Sequence, residues 1–134
     1  MKHVAWLAAP ALAFCMIAYA SEKVATLDGT SWKIEVGPDH VAKEKGEKDY
    51  KETLTFAAGM VSMSEAQKVG FASSHYDTAK SGETDWTFKT AQNSDSMGQS
   101  VWTGTIHEQG MEGKMTMTKK DGSVLTYTFK GSKL

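Results

Sequence analysis

From Ser100 to Gly131 the side chains alternate between apolar and polar through three successive short segments, a pattern that few folds can accommodate. Trp102, Gly104 and Ile106 interleave with Thr103, Thr105 and His107. Gly113, Met115 and Met117 interleave with Lys114, Thr116 and Thr118, and Leu125, Tyr127 and Phe129 with Thr126, Thr128 and Lys130. Successive side chains of a strand point to opposite faces, so each segment is expected to be a half-buried antiparallel strand. Turns at Glu108-Gln109-Gly110 and Lys120-Asp121-Gly122 join the three into a meander.

The same period runs upstream. Trp32, Ile34 and Val36 mark a strand over 30–36, which Gly37-Pro38 is expected to end, because proline lacks a ladder donor. Residues 39–51 are charged and read as a long solvated loop, and the loop 37–51 is placed where a lid over one mouth would sit. Further strands are expected at 52–57 and 60–64 across Ala58-Gly59. A helical turn over 64–70 follows, capped by Ser64 and stopped by Gly70. Strands near 76–79 and 83–91 come next, with a polar turn at 93–96. About eight short, evenly spaced strands predict an all-β fold, an antiparallel up-and-down eight-stranded barrel. Closure removes exposed edges, which favours the barrel over an open sandwich.

Register can be read from the same residues. A two-residue turn at Gln109-Gly110 would set Trp102 opposite Met117, Gly104 opposite Met115 and Ile106 opposite Gly113. A three-residue loop at 120–122 would pair Met117 with Leu125 and Met115 with Tyr127, giving three strands one inner face.

The N-terminus has a different character. Lys2 and His3 precede a mostly apolar run from Val4 to Ile17, and Ala18-Tyr19-Ala20 has the small-residue pattern of a cleavage site. Residues 1–20 are therefore expected to be a secretory signal peptide, and 21–134 a single barrel domain. The apolar run is shorter than the roughly 20 residues of a spanning helix, so no membrane span is expected after processing. The single cysteine, Cys15, lies in this leader. The exported chain then folds without disulfides, in the periplasm or outside the cell.

Composition narrows the function classes. There is no arginine, and fifteen lysines face sixteen Asp and Glu for a net charge of −1. Without arginine forks or a basic patch, nucleic acid is not an expected partner. An outer-membrane barrel would turn apolar residues outward, whereas here the outward set is Thr, Lys, Glu and Asp. No Ser–His–Asp, thiol or H-E-x-x-H arrangement stands out. His40, His75 and His107 share no ligand spacing, so neither an enzyme nor a cofactor is expected.

Leu27-Asp28-Gly29-Thr30-Ser31-Trp32, followed by the terminal Trp-x-Gly, Gly-x-Met-x-Met and Tyr-x-Phe strands, resembles the calycin superfamily, the lipocalin-like small barrels. It is similar in particular to small exported bacterial barrels of this shape. The resemblance implies a barrel that binds a small apolar ligand.

The candidate interior lining is Trp32, Phe56, Tyr76, Trp86, Phe88, Trp102, Met115, Met117, Tyr127 and Phe129. Such a set could enclose a small hydrophobic or amphipathic ligand, because an eight-stranded barrel can hold one; it could equally fill the barrel solid. A solid barrel would instead engage a protein partner, for instance as an inhibitor, through its loops. A third reading places Cu(I) on Met115 and Met117, since thioethers are soft ligands, against their ordinary role as core filler.

Overall fold

A computed structural model describes residues 27–134; the expected leader lies outside the described residues. Strand β1 spans Thr30–Pro38, helix α1 His40–Glu44, β2 Tyr50–Ala57, β3 Met60–Met63 and helix α2 Ser64–Lys68. The remaining strands are β4 Ser74–Lys80, β5 Asp85–Ser94, β6 Gly98–His107, β7 Gly110–Thr118 and β8 Val124–Lys133. Each strand pairs antiparallel with the next and β8 returns to β1, so the eight strands close into the expected up-and-down barrel.

Alternation sets what lies inside. In β6, Ser100, Trp102, Gly104 and Ile106 are buried while Thr103, Thr105 and His107 are exposed. The β7–β8 pairs Met115–Tyr127 and Met117–Leu125 fall as expected. The β6–β7 register does not. Trp102 faces Met115, Gly104 faces Gly113 and Ile106 faces Met111, because the turn is Glu108-Gln109, with Glu108 in the left-handed region at φ 54°. The slip is two residues, so the inner face is preserved.

Its physical reason is volume. Phe88 is paired with Gly104, and Phe129 with Gly113. Two facing glycines open a slot that both rings enter; a Cβ on Gly104 would stand 2.6 Å from Phe88 Cε1 and 3.0 Å from Phe129 Cζ. The rings run on through the interior. Centroids are 4.8 Å apart for Tyr76–Phe56, 5.7 Å for Phe56–Phe88, 6.3 Å for Phe88–Phe129 and 5.4 Å for Phe129–Trp102, at the tilted and edge-on angles aromatics prefer.

Several boundaries differ from the sequence expectation. Strand β1 does not stop before Gly37-Pro38: Pro38 still pairs with Tyr127 of β8, while the β1–β2 pairing has ended at Val36–Tyr50. The missing proline donor is tolerated where one side of the strand is already unpaired. Strand β2 begins at Tyr50 rather than Glu52, and β3 ends at Met63. Strand β4 opens at Ser74 and β5 runs to Ser94, which moves the polar turn to 95–97.

Connectivity puts both helices at one end of the barrel, together with the 95–97 and 119–123 turns. The hairpins at 58–59, 81–84 and 108–109 occupy the other end. The thinnest seam is β3–β4, joined by Met60–His75 and Val61–Ser74, against ten residue pairs between β5 and β6.

Candidate functional site

The barrel brings the ten candidate lining residues together. Trp32, Phe56, Phe88, Trp102, Met115, Tyr127 and Phe129 are buried, and Tyr76, Trp86 and Met117 are partly buried against the same cluster. Four of their polar tips bond within the protein. Trp32 Nε1 donates to Thr30 Oγ1 at 2.9 Å, and Trp102 Nε1 to Ser100 Oγ at 3.0 Å. The Tyr76 hydroxyl donates to Asp28 Oδ1 at 2.6 Å, and the Tyr127 hydroxyl to Glu47 Oε1 at 2.6 Å. Burial, then the adjoining carboxylate, pushes both phenols well above their ordinary pKa, so they remain donors at any physiological pH. The Lys80 ammonium lies 5.9 Å from the Trp86 ring centroid, at the hairpin end.

The charged segment expected as a free loop is a strap across the helix-bearing end. Asp39 accepts from Ala42 N at 2.8 Å to cap α1, and its own N–H donates to Thr126 O at 3.0 Å. Ala42 is 0% exposed, and Glu47 closes the strap onto Tyr127. Polar composition concealed this, because one alanine, the Asp39 main-chain N–H and the Glu47 carboxylate make the attachment.

Helix α2 occupies the place of the expected helical turn, but Ser64 does not cap it. The cap comes from β2: Glu52 Oε1 accepts from Glu65 N at 2.8 Å, Ser64 Oγ at 2.9 Å and Thr53 N at 2.9 Å, and Oε2 from Ala66 N at 3.0 Å. Glu52 is 2% exposed, which corrects the expectation that Glu and Asp belong to the outward set. Four donors compensate the burial of its charge. Its position two residues before Leu54, on the same face as Phe56, was the available signal. Gln92, four residues after Phe88 on the inner face of β5, was missed in the same way.

Of the thioethers, Met63, Met111 and Met115 are buried and Met117 is partly so. His107 stands on the outer face, as expected from its parity, bonded to Asp85 through Nδ1 and 3.5 Å from Glu108 Oε1 through Nε2. No group of three His, Cys, Asp or Glu arranged to hold a metal occurs among the described residues.

Two concavities of about 940 and 890 Å³ lie on the outer wall and share Glu35, Thr105, Glu112 and Lys130. Strand glycines floor them, Gly104 and Gly113 in one and Gly110 and Gly131 in the other. Exposed apolar side chains concentrate elsewhere. Val41 on α1, Val69 after α2, Met97 in the β5–β6 turn and Val124 at the start of β8 all belong to the helix-bearing end. Ser94 Oγ ties two of them, donating to Val69 O at 2.9 Å and accepting from Met97 N at 3.2 Å.

These features define a class, a closed eight-stranded antiparallel barrel of lipocalin-like shape with an aromatic interior. No family model matches the chain, and neither a curated protein nor a solved structure matches it with significance. Among the described residues no helix is long and apolar enough to cross a membrane.

Proposed function

We propose that this is an exported, non-enzymatic barrel of the calycin kind, released into the periplasm or outside the cell by cleavage of its leader. It docks a partner protein on its helix-bearing end. The supporting observation is the pairing of a ring-to-ring packed interior with exposed apolar side chains at all four connections of one end, Leu134 at the chain terminus being the other large one exposed among the described residues. Apolar groups exposed together cost solvation and mark contact surfaces. The occupant is a protein with an apolar face, because lysines and carboxylates are interspersed along 39–49, 64–68 and 119–121. That mixture offers no field for nucleic acid or an anionic lipid surface.

Photo-crosslinkers at positions 97 and 124, compared with positions 103 and 116 on the barrel wall, test this in the exporting cell. One discrete protein adduct confined to the rim positions is expected. Adducts equal at rim and wall, or absent from both, would end the reading.

A second reading keeps a small hydrophobic or amphipathic ligand inside. It is favoured by Tyr76, Trp86 and Met117, which face inward yet stay partly exposed. Native mass spectrometry of the exported protein, with lipid extraction, separates the two: a bound mass released by Trp86→Ala supports the interior site. The Cu(I) reading is tested by anaerobic titration of the native protein and Met117→Ala, where equal affinity dismisses it.

A further inference from the structure

The inner face of the barrel is apolar along most of its length and polar at one corner, where β5 meets β6 near the helix-bearing end. Gln92 and Ser100 stand directly opposite each other there, and both are buried. The orientation of the Gln92 amide is determined by its neighbour. Nε2 donates to Val61 O at 3.2 Å, and the reversed amide would set carbonyl against carbonyl. Oε1 is therefore the end left over, and no donor among the described residues reaches it. Native interiors seldom leave a buried carbonyl in that state.

Ser100 supplies the complementary half. Its Oγ accepts from Trp102 Nε1 at 3.0 Å, which leaves the hydroxyl proton to donate elsewhere. There is also room. The next inner pair toward the rim is Ser94–Gly98, and Met117 flanks Ser100 on β7, whereas the row below carries Thr90, Trp102 and Met115. On β6, Ser100 stands where Trp102 stands one row below, and the next pair toward the rim is serine and glycine.

We infer that this corner binds a neutral hydroxyl group, which donates to Gln92 Oε1 and accepts from Ser100 Oγ. Both protein groups are uncharged, and the buried carboxylate Glu52 already has its four donors, so nothing calls for a cation. The hydroxyl belongs either to an internal water or to a small hydroxylated molecule; a buried polar site with two good partners serves either. Exchange with solvent runs through the β3–β4 seam, since the Gln92–Val61 bond lies on the strand that forms it with two residue pairs. The site is independent of the rim, and neither reading falls with the other.

Magnetic relaxation dispersion of water counts long-lived internal waters, and native mass spectrometry detects an organic occupant. In the native protein one of the two gives a signal that Gln92→Met removes. A water lost from the count identifies water as the source, and a mass lost from the intact protein identifies the organic molecule. Ser100→Ala, which keeps the Gln92–Val61 bond, guards against a Gln92→Met chain that fails to fold and is expected to weaken the same signal at least tenfold. Water counts and masses unchanged in a folded variant would overturn the inference.

Discussion

The Tyr127 hydroxyl donates to Glu47 Oε1 at 2.6 Å, a bond between residues 80 positions apart in sequence. It joins an inner side chain of β8 to the strap that crosses the helix-bearing end, and with buried Ala42 it holds that strap down. A hydrogen bond to a charged partner contributes roughly 1.5–3 kcal/mol, and partial exposure places this one near the lower figure. Tyr127→Phe, which keeps the ring, should lower stability by about 1.5 kcal/mol in urea unfolding. Amide exchange over 40–49 should quicken more than elsewhere. Unchanged exchange there would mean that Ala42 and Asp39 anchor the strap unaided.

Glu52 ties β2 to the start of α2 through backbone donors that have no intrahelical partner. Glu52→Ala leaves those donors and the Ser64 hydroxyl without an acceptor. A loss of at least about 2 kcal/mol is expected, the scale of stranded buried donors. Amide exchange at Glu65 and Ala66 should rise first, and a variant as stable as the parent would show that α2 needs no cap from the barrel wall.

Gly104 leaves space that Phe88 and Phe129 fill. Gly104→Ala forces those rings aside at a cost of about 1–3 kcal/mol, typical of overpacking. Adding Phe88→Leu should return part of that loss, so the double-variant cycle should show coupling of about 1 kcal/mol. Strict additivity would separate the glycine from the ring.

Asp85 raises the pKa of His107, chiefly by accepting its hydrogen bond, and Glu108 adds a smaller pull in the same direction. The same contact lowers Asp85. A raised histidine adds stability while the ring is charged and loses it as pH climbs through the folded-state value. A lowered aspartate loses its share as pH falls. The pair is therefore strongest between about pH 4 and 6.5. Solvent screens it, so the test is an NMR titration rather than a melt. The His107 midpoint should lie above that of the Asp85→Asn variant, and coincident midpoints would dismiss the bond.

Much of this barrel was legible in advance. Alternation placed Trp102, Met115 and Tyr127 on one face, and the β7–β8 pairs followed from the three-residue turn. The candidate lining was legible for the same reason, since ten large side chains of matching parity belong to one interior. Glu52 and Gln92 have that parity too, but a polar side chain adds nothing to the apolar alternation that marks an inner face. Their partners, the α2 backbone and the Val61 carbonyl, lie 12 or more residues away in sequence.

What the amino-acid order by itself determined was the number of strands, their sequence and their inward faces, because side-chain alternation is a local property of extended backbone. The β6–β7 register, the strap over 39–49 and the buried carboxylate at Glu52 were decided by the tertiary structure alone. Each depends on volume or on a hydrogen-bond partner that only closure of the barrel brings near: two rings seeking the space beside Gly104 and Gly113, a phenol for Glu47, and a helix end for Glu52.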